Sequence, residues 1–191
     1  MTYKISFDYI NFLNLDLDMK KLMFTIGKSL GGMKAFKNYC WDNKSLADAW
    51  QDIGAAFVKV EGLDQTEKPD ITIWNGANFV LSPKAYDLLA EQLSPLGEFL
   101  PITIDGQTYQ IFNCLNTVEA DKNVSEAEIS DDLWMGVKSL GFKKEDVENN
   151  LVFKTRFDRC GALYCGDQFR NLVKIFKLKG LNFNEDLLTS F

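Results

Sequence analysis

A chain of 191 residues with 46% hydrophobic and 13% aromatic content can bury a sizeable core, which excludes wholesale disorder. It carries 21 Lys and Arg against 27 Asp and Glu, a formal net charge of −6, without the basic stripe that neutralises phosphates; nucleic acid is not an expected partner. Histidine is absent altogether, which removes Ser–His–Asp and Cys–His nucleophilic sites, histidine-liganded zinc and the usual general base near neutral pH.

The opening residues lack a basic region followed by an apolar run and a small-residue cleavage site, so no signal peptide is expected. No apolar run approaches the roughly 20 residues that span a bilayer. A cytoplasmic protein follows as the expectation, with no membrane partner and with Cys40, Cys114, Cys160 and Cys165 as reduced thiols. Residues 3–13 (YKISFDYINFL) are β-branched and aromatic with partial alternation and predict an opening strand. In SLADAWQDIGAAF, Leu46, Ala49, Trp50 and Ile53 fall on one helical stripe after Ser45, which predicts a short helix ended by Gly54. AAFVKVEGL and DITIWNG then read as strands on either side of the polar turn DQTEKP.

Ser82 followed by Pro83 marks a helix start, with Ala85, Leu88, Leu89 and Leu93 at helical spacing and Pro95 as the stop. Asp105-Gly106 lies between two alternating runs and predicts a hairpin, because Gly tolerates the positive φ of a tight turn. Residues 119–150 hold nine acids and four bases, a net of −5, and predict an inserted loop with one or two short surface helices. From 151 the balance reverses, with seven bases against four acids. LVFKTRF and ALYC predict strands there. GDQFRNLVKIFKLKG predicts a helix with Phe169, Leu172, Val173 and Phe176 on one face, Asp167 at the positive end, Lys177 and Lys179 at the negative end, and Gly180 as the close. The final LNFNEDL docks back or trails off. The pattern as a whole predicts one α+β domain over 1–191, with a mostly antiparallel sheet and helices packed against it.

Signals for chemistry are thin. GKSLGG (27–32) lacks the GxxxxGK[ST] spacing of a phosphate loop, and with NGAN (75–78) it reads as a turn. Cys160 and Cys165 are too far apart for a CxxC pair, so buried thiols are expected and no metal. The acid pairs Asp16/Asp18, Glu126/Glu128 and Asp131/Asp132 lie in polar surroundings and read as solvated faces. Trp134, beside two acids, either covers a local core or anchors an interface. In YQIFNCLNTVEADKN (109–123), Asn113 and Asn116 are expected to bond backbone groups where a strand gives way to a loop, and Cys114 to be a buried thiol. No catalytic residue and no cofactor are assigned.

The order of segments carries a further signal. FVLSPKAYDLLAEQL is followed by EFLPITIDGQTYQIFNCLNTVEADKNVS, and after an insert by ALYCGDQFRNLVKIFKLKGLNF. Ser82, Leu88, Leu89, Pro101, Tyr109, Asn113, Leu115, Asn116, Val118, Ser125, Phe169, Gly180, Leu181 and Phe183 carry it. In this the chain resembles a widespread bacterial domain, formerly of unknown function, classed among the polymorphic-toxin immunity proteins as the immunity protein eleven type. The likeness gives a family-like core at 71–125 and 151–184, an acidic insert at 126–150 and a variable part at 1–70.

That resemblance implies a cytoplasmic, non-enzymatic protein that binds the toxin domain encoded by the adjacent gene and neutralises it by stoichiometric occlusion. An acidic surface would speed capture of a basic toxin. The expected contacts are Asp121, Glu126, Glu128, Asp131, Asp132 and Trp134. Two other classes remain open at this point: a small-molecule-binding or regulatory domain, and a His-independent carboxylate enzyme.

Overall fold

A computed structural model of the chain describes residues 1–32 and 42–189. Cys40 lies outside the described residues. The larger sheet has the order β2 (Asn14–Leu17), β3 (Ile53–Val58), β6 (Gly97–Ile104), β7 (Gln107–Cys114), β5 (Asn78–Leu81), β4 (Ile71–Trp74). Its neighbours run antiparallel except β3 and β6, which pair in parallel through Ile53↔Ile102 and Gly54↔Thr103. A four-stranded antiparallel sheet has the order β10 (Val152–Phe153), β11 (Leu163–Gly166), β1 (Thr2–Phe7), β12 (Leu181–Asn184). The mixed α+β class with mostly antiparallel sheets is thus the one expected.

Period-two alternation decides which core each strand feeds. On β5 and β7, Phe79, Leu81, Phe112 and Cys114 face one way, into an apolar cluster shared with Tyr3 and Ile5 of β1 and with Leu163 and Cys165 of β11. Two helices seal that cluster: α2 (Pro83–Leu93) through Ala85, Leu89 and Leu93, and α4 (Asp167–Ile175) through Phe169 and Val173. Both sheets therefore share one core and form one domain. Val80, Tyr109 and Ile111 face the opposite way, into a second cluster covered by Leu22 and Ile26 of α1 (Met19–Ser29).

Local chemistry explains the helix ends. Ser82 Oγ accepts the Ala85 amide at 3.2 Å and Pro83 stands at the first helical position, as its sequence requires. Asp18 caps α1 by accepting the Lys21 amide at 3.0 Å. The α4 terminus differs from expectation. Lys177 (φ 52°), not Gly180, closes the helix, and the amides of Lys177 and Leu178 return to the carbonyls of Lys174 and Val173, a Schellman closure. Gly180 serves a later contact. There the chain crosses the start of β4, and the Lys179 carbonyl accepts the amides of Asp70 and Ile71 at 3.0 Å each.

Three further expectations are corrected. The opening strand ends at Phe7, because Asp8 accepts both the amide and the side-chain amide of Asn11 and turns the chain; β2 and α1 follow. No α-helix forms at 45–54. A single 3-10 turn spans Ala47–Ala49, Trp50 is extended (ψ 139°), and Ile53 already belongs to β3. Glu98 holds Ser45 Oγ at 2.5 Å and the Leu46 amide at 2.6 Å, while Trp50 Nε1 donates to the Pro101 carbonyl at 2.8 Å. Tertiary bonds to β6 outweigh a helical stripe too short to sustain itself. The acidic segment, expected as a loop with short helices, forms the hairpin β8 (Glu126–Ser130) and β9 (Leu133–Ser139) before one short helix, α3 (Lys144–Glu148).

A Cβ at Gly180, at φ 115°, would run into the Ile71 carbonyl and Pro69. Gly180→Ala is therefore expected to destabilise the fold by about 2 kcal/mol or more, read as a lower denaturation midpoint at unchanged slope in urea.

Candidate functional site

The β8–β9 hairpin pairs with no other strand among the described residues. Its stem is fixed by Ser125 and Gly141: the Gly141 amide donates to Ser125 Oγ at 3.0 Å, and the Asp121 amide donates to the Gly141 carbonyl at 2.8 Å. A second attachment is the Arg159 guanidinium, 4.2 Å above the Trp134 ring. Beyond these points the hairpin projects into solvent.

The turn at its tip is unusual. Asp131 (φ 49°) and Asp132 (φ 62°) occupy both central positions of a two-residue connection, where Asn-Gly or Asp-Gly is the favoured choice. The register places Met135 as an extra residue between Ile129↔Trp134 and Glu128↔Gly136, and Lys138 as another nearer the stem. Such bulges re-aim side chains and spoil the strand edge for pairing. Apolar residues flank the charged turn: Ile129 is 64% exposed, Leu133 66% and Met135 59%.

The residues expected as contacts divide. Glu128, Asp131 and Asp132 are exposed on the hairpin, and no ion pair reaches them among the described residues. Glu126 is paired with Lys138 at 2.9 Å, which holds that ammonium above its ordinary range. Trp134 is half-buried against Arg159 and faces the body. Asp121 sits at the stem, and its carboxylate accepts from the amide and side chain of Asn123 at 2.9 Å each. Ile129, Leu133 and Met135 are functional candidates that the sequence reading did not single out. The available signal was the apolar alternation on either side of Asp131-Asp132.

The stretch 109–123 is a structural clamp. Asn113 Nδ2 donates to Glu98 Oε1 at 2.8 Å and to the Lys44 carbonyl at 3.0 Å, and its Oδ1 accepts from the buried Lys154 at 3.3 Å. Asn116 Nδ2 bonds Asn150 Oδ1 at 2.8 Å and the Val152 carbonyl at 3.0 Å, tying the end of β7 to β10. Cys114 is fully buried and its thiol is pushed up to about 11, chiefly by burial. Burial likewise raises Cys165.

Elsewhere, Asp158 is held above the usual carboxylate range by burial, with the Tyr164 hydroxyl donating to it at 2.7 Å and the Gly161 amide at 3.2 Å. Burial lowers the nearby Lys4 ammonium, which donates to the Thr189 carbonyl at 2.9 Å. The GKSLGG segment is the last turn of α1 followed by two left-handed glycines, and NGAN is the β4–β5 turn. Among the described residues no group of three His, Cys, Asp or Glu side chains is placed to hold a metal ion, and no helix is long and apolar enough to cross a membrane. No protein-family model matches the chain, and no curated protein matches it.

Two outcomes check the clamp. Asn116→Ala removes the side-chain bonds to the Val152 carbonyl and Asn150 Oδ1 and is expected to cost about 1–3 kcal/mol of stability in urea titration. In a Cys40→Ser background, Cys114, Cys160 and Cys165 are all buried and should resist iodoacetamide at pH 8 until denaturant is added, as read by intact-mass spectrometry.

Proposed function

We propose that this chain is an immunity protein that binds a cognate bacterial toxin domain and neutralises it by stoichiometric occlusion in the cytoplasm of the producing cell. The observation that carries the reading is the projecting hairpin, which presents Ile129, Leu133 and Met135 beside Glu128, Asp131 and Asp132. Three large apolar side chains held in solvent within seven residues of one hairpin suit burial against a partner. An apolar patch bordered by acids suits a protein whose own contact surface is basic.

The body of the protein supports the same reading. Several residues that carry the family likeness, Ser82, Asn113, Asn116 and Phe169, have structural tasks in the core, a cap or a clamp. A rigid scaffold bearing one protruding element is how a stoichiometric inhibitor limits the entropy lost on binding.

Co-expression with the product of the adjacent gene tests the proposal. The expected result is rescue of growth and a co-purifying complex at near-equal stoichiometry. A neighbour that is harmless alone, or that never associates, would overturn it.

A further inference from the structure

We propose that the hairpin tip acts as a plug, setting Ile129, Leu133 and Met135 against the apolar walls of a partner cleft whose floor carries the Lys and Arg that receive Asp131 and Asp132. This rests on the toxin-neutralising reading above and names the partner's chemistry and the mode of docking.

The mode follows from register. Strand addition needs a regular free edge, and β9 carries two extra residues, Met135 and Lys138, within seven. The edge of β8 is short and bears Glu126 and Glu128. Recognition therefore falls to side chains rather than to backbone pairing. One bulge residue is Met135 itself, whose flexible thioether adapts to an irregular apolar wall. Ile129 pairs across the hairpin with Trp134, and Ser130 with Leu133, so apolar groups flank the turn on both strands. That arrangement fills a cleft better than it covers a flat surface.

Charge selects the occupant. Glu128, Asp131 and Asp132 bring three negative charges with no ion pair among the described residues. A second copy of this hairpin would set those acids against their equals, and an anionic lipid or nucleic-acid surface would repel them. Lys and Arg at the cleft floor compensate Asp131 and Asp132 as the tip docks. The turn reinforces the point. Asp131 and Asp132 place adjacent like charges at two positive-φ positions, where Asn-Gly would be more stable. Exchanging the acids should thus separate stability from binding.

The experiment uses the full chain and the catalytically inactivated toxin domain of the adjacent gene, with association and dissociation followed by biolayer interferometry at low and physiological salt. D131N/D132G is expected to raise the melting temperature yet slow association at least about threefold and flatten its salt dependence. L133S/M135S should accelerate dissociation by about tenfold or more. D87N/E91Q, which removes the same two charges from the exposed face of α2, should leave both rates near wild type. If the wild-type chain forms no complex, the plug and the neutralising function both fall. If it forms one and both hairpin variants bind like wild type, the plug falls and the neutralising function stands.

Discussion

The structure depends on one stack of aromatic rings. Phe79 of β5 lies 5.3 Å from Phe169 of α4 and 6.3 Å from Phe112 of β7, nearly parallel to both. Phe169 in turn contacts Phe183 of β12, which meets Tyr3 of β1 edge-on. This chain of contacts crosses from the six-stranded sheet through a helix into the four-stranded sheet. Offset and edge-to-face pairs add to the area each ring buries, so the two sheets are held as one body rather than as neighbours on a linker. Residues near opposite ends of the sequence meet there, and everything attached to either sheet inherits a fixed position.

The clamp at 113–116 extends that rigidity. Asn113 joins Glu98 of β6 to Lys154 beyond β10, and Asn116 joins the end of β7 to Val152. Each of these groups is buried or half-buried, so its hydrogen bonds stand in for lost water and losing one leaves a partner unsatisfied. Residues 117–125 leave this point and lead into the β8–β9 hairpin. The hairpin's stem therefore follows directly from this hydrogen-bonded clamp, while its tip is exposed.

Legibility in the sequence followed interaction range. The Ser82-Pro83 helix start and the Asp105-Gly106 turn were readable because a side chain and its own neighbouring backbone decide them. The segment 45–54 was misread as a helix because its stripe is real, but Glu98 and Pro101, some fifty residues on, claim its polar groups. Gly180 looked like a helix terminus, yet its requirement arises from Ile71 on another strand. The hairpin escaped notice since Asp-Asp is a poor turn signal and its acids dominate the composition. For the same reason only part of the candidate surface is legible: charge singles out Glu128, Asp131 and Asp132, whereas the exposure of Ile129, Leu133 and Met135 follows from the strand register.

Stability lies in the aromatic stack and the asparagine clamp; recognition is proposed for a tip that both leave exposed. Hydrogen–deuterium exchange on the full chain, free and bound to the inactivated toxin domain proposed as its partner, tests that division directly. Slowed exchange concentrated in residues 126–139, with β5 and β7 equally protected in both states, is the predicted result. Unchanged exchange at 126–139 beside new protection elsewhere on the surface would contradict it.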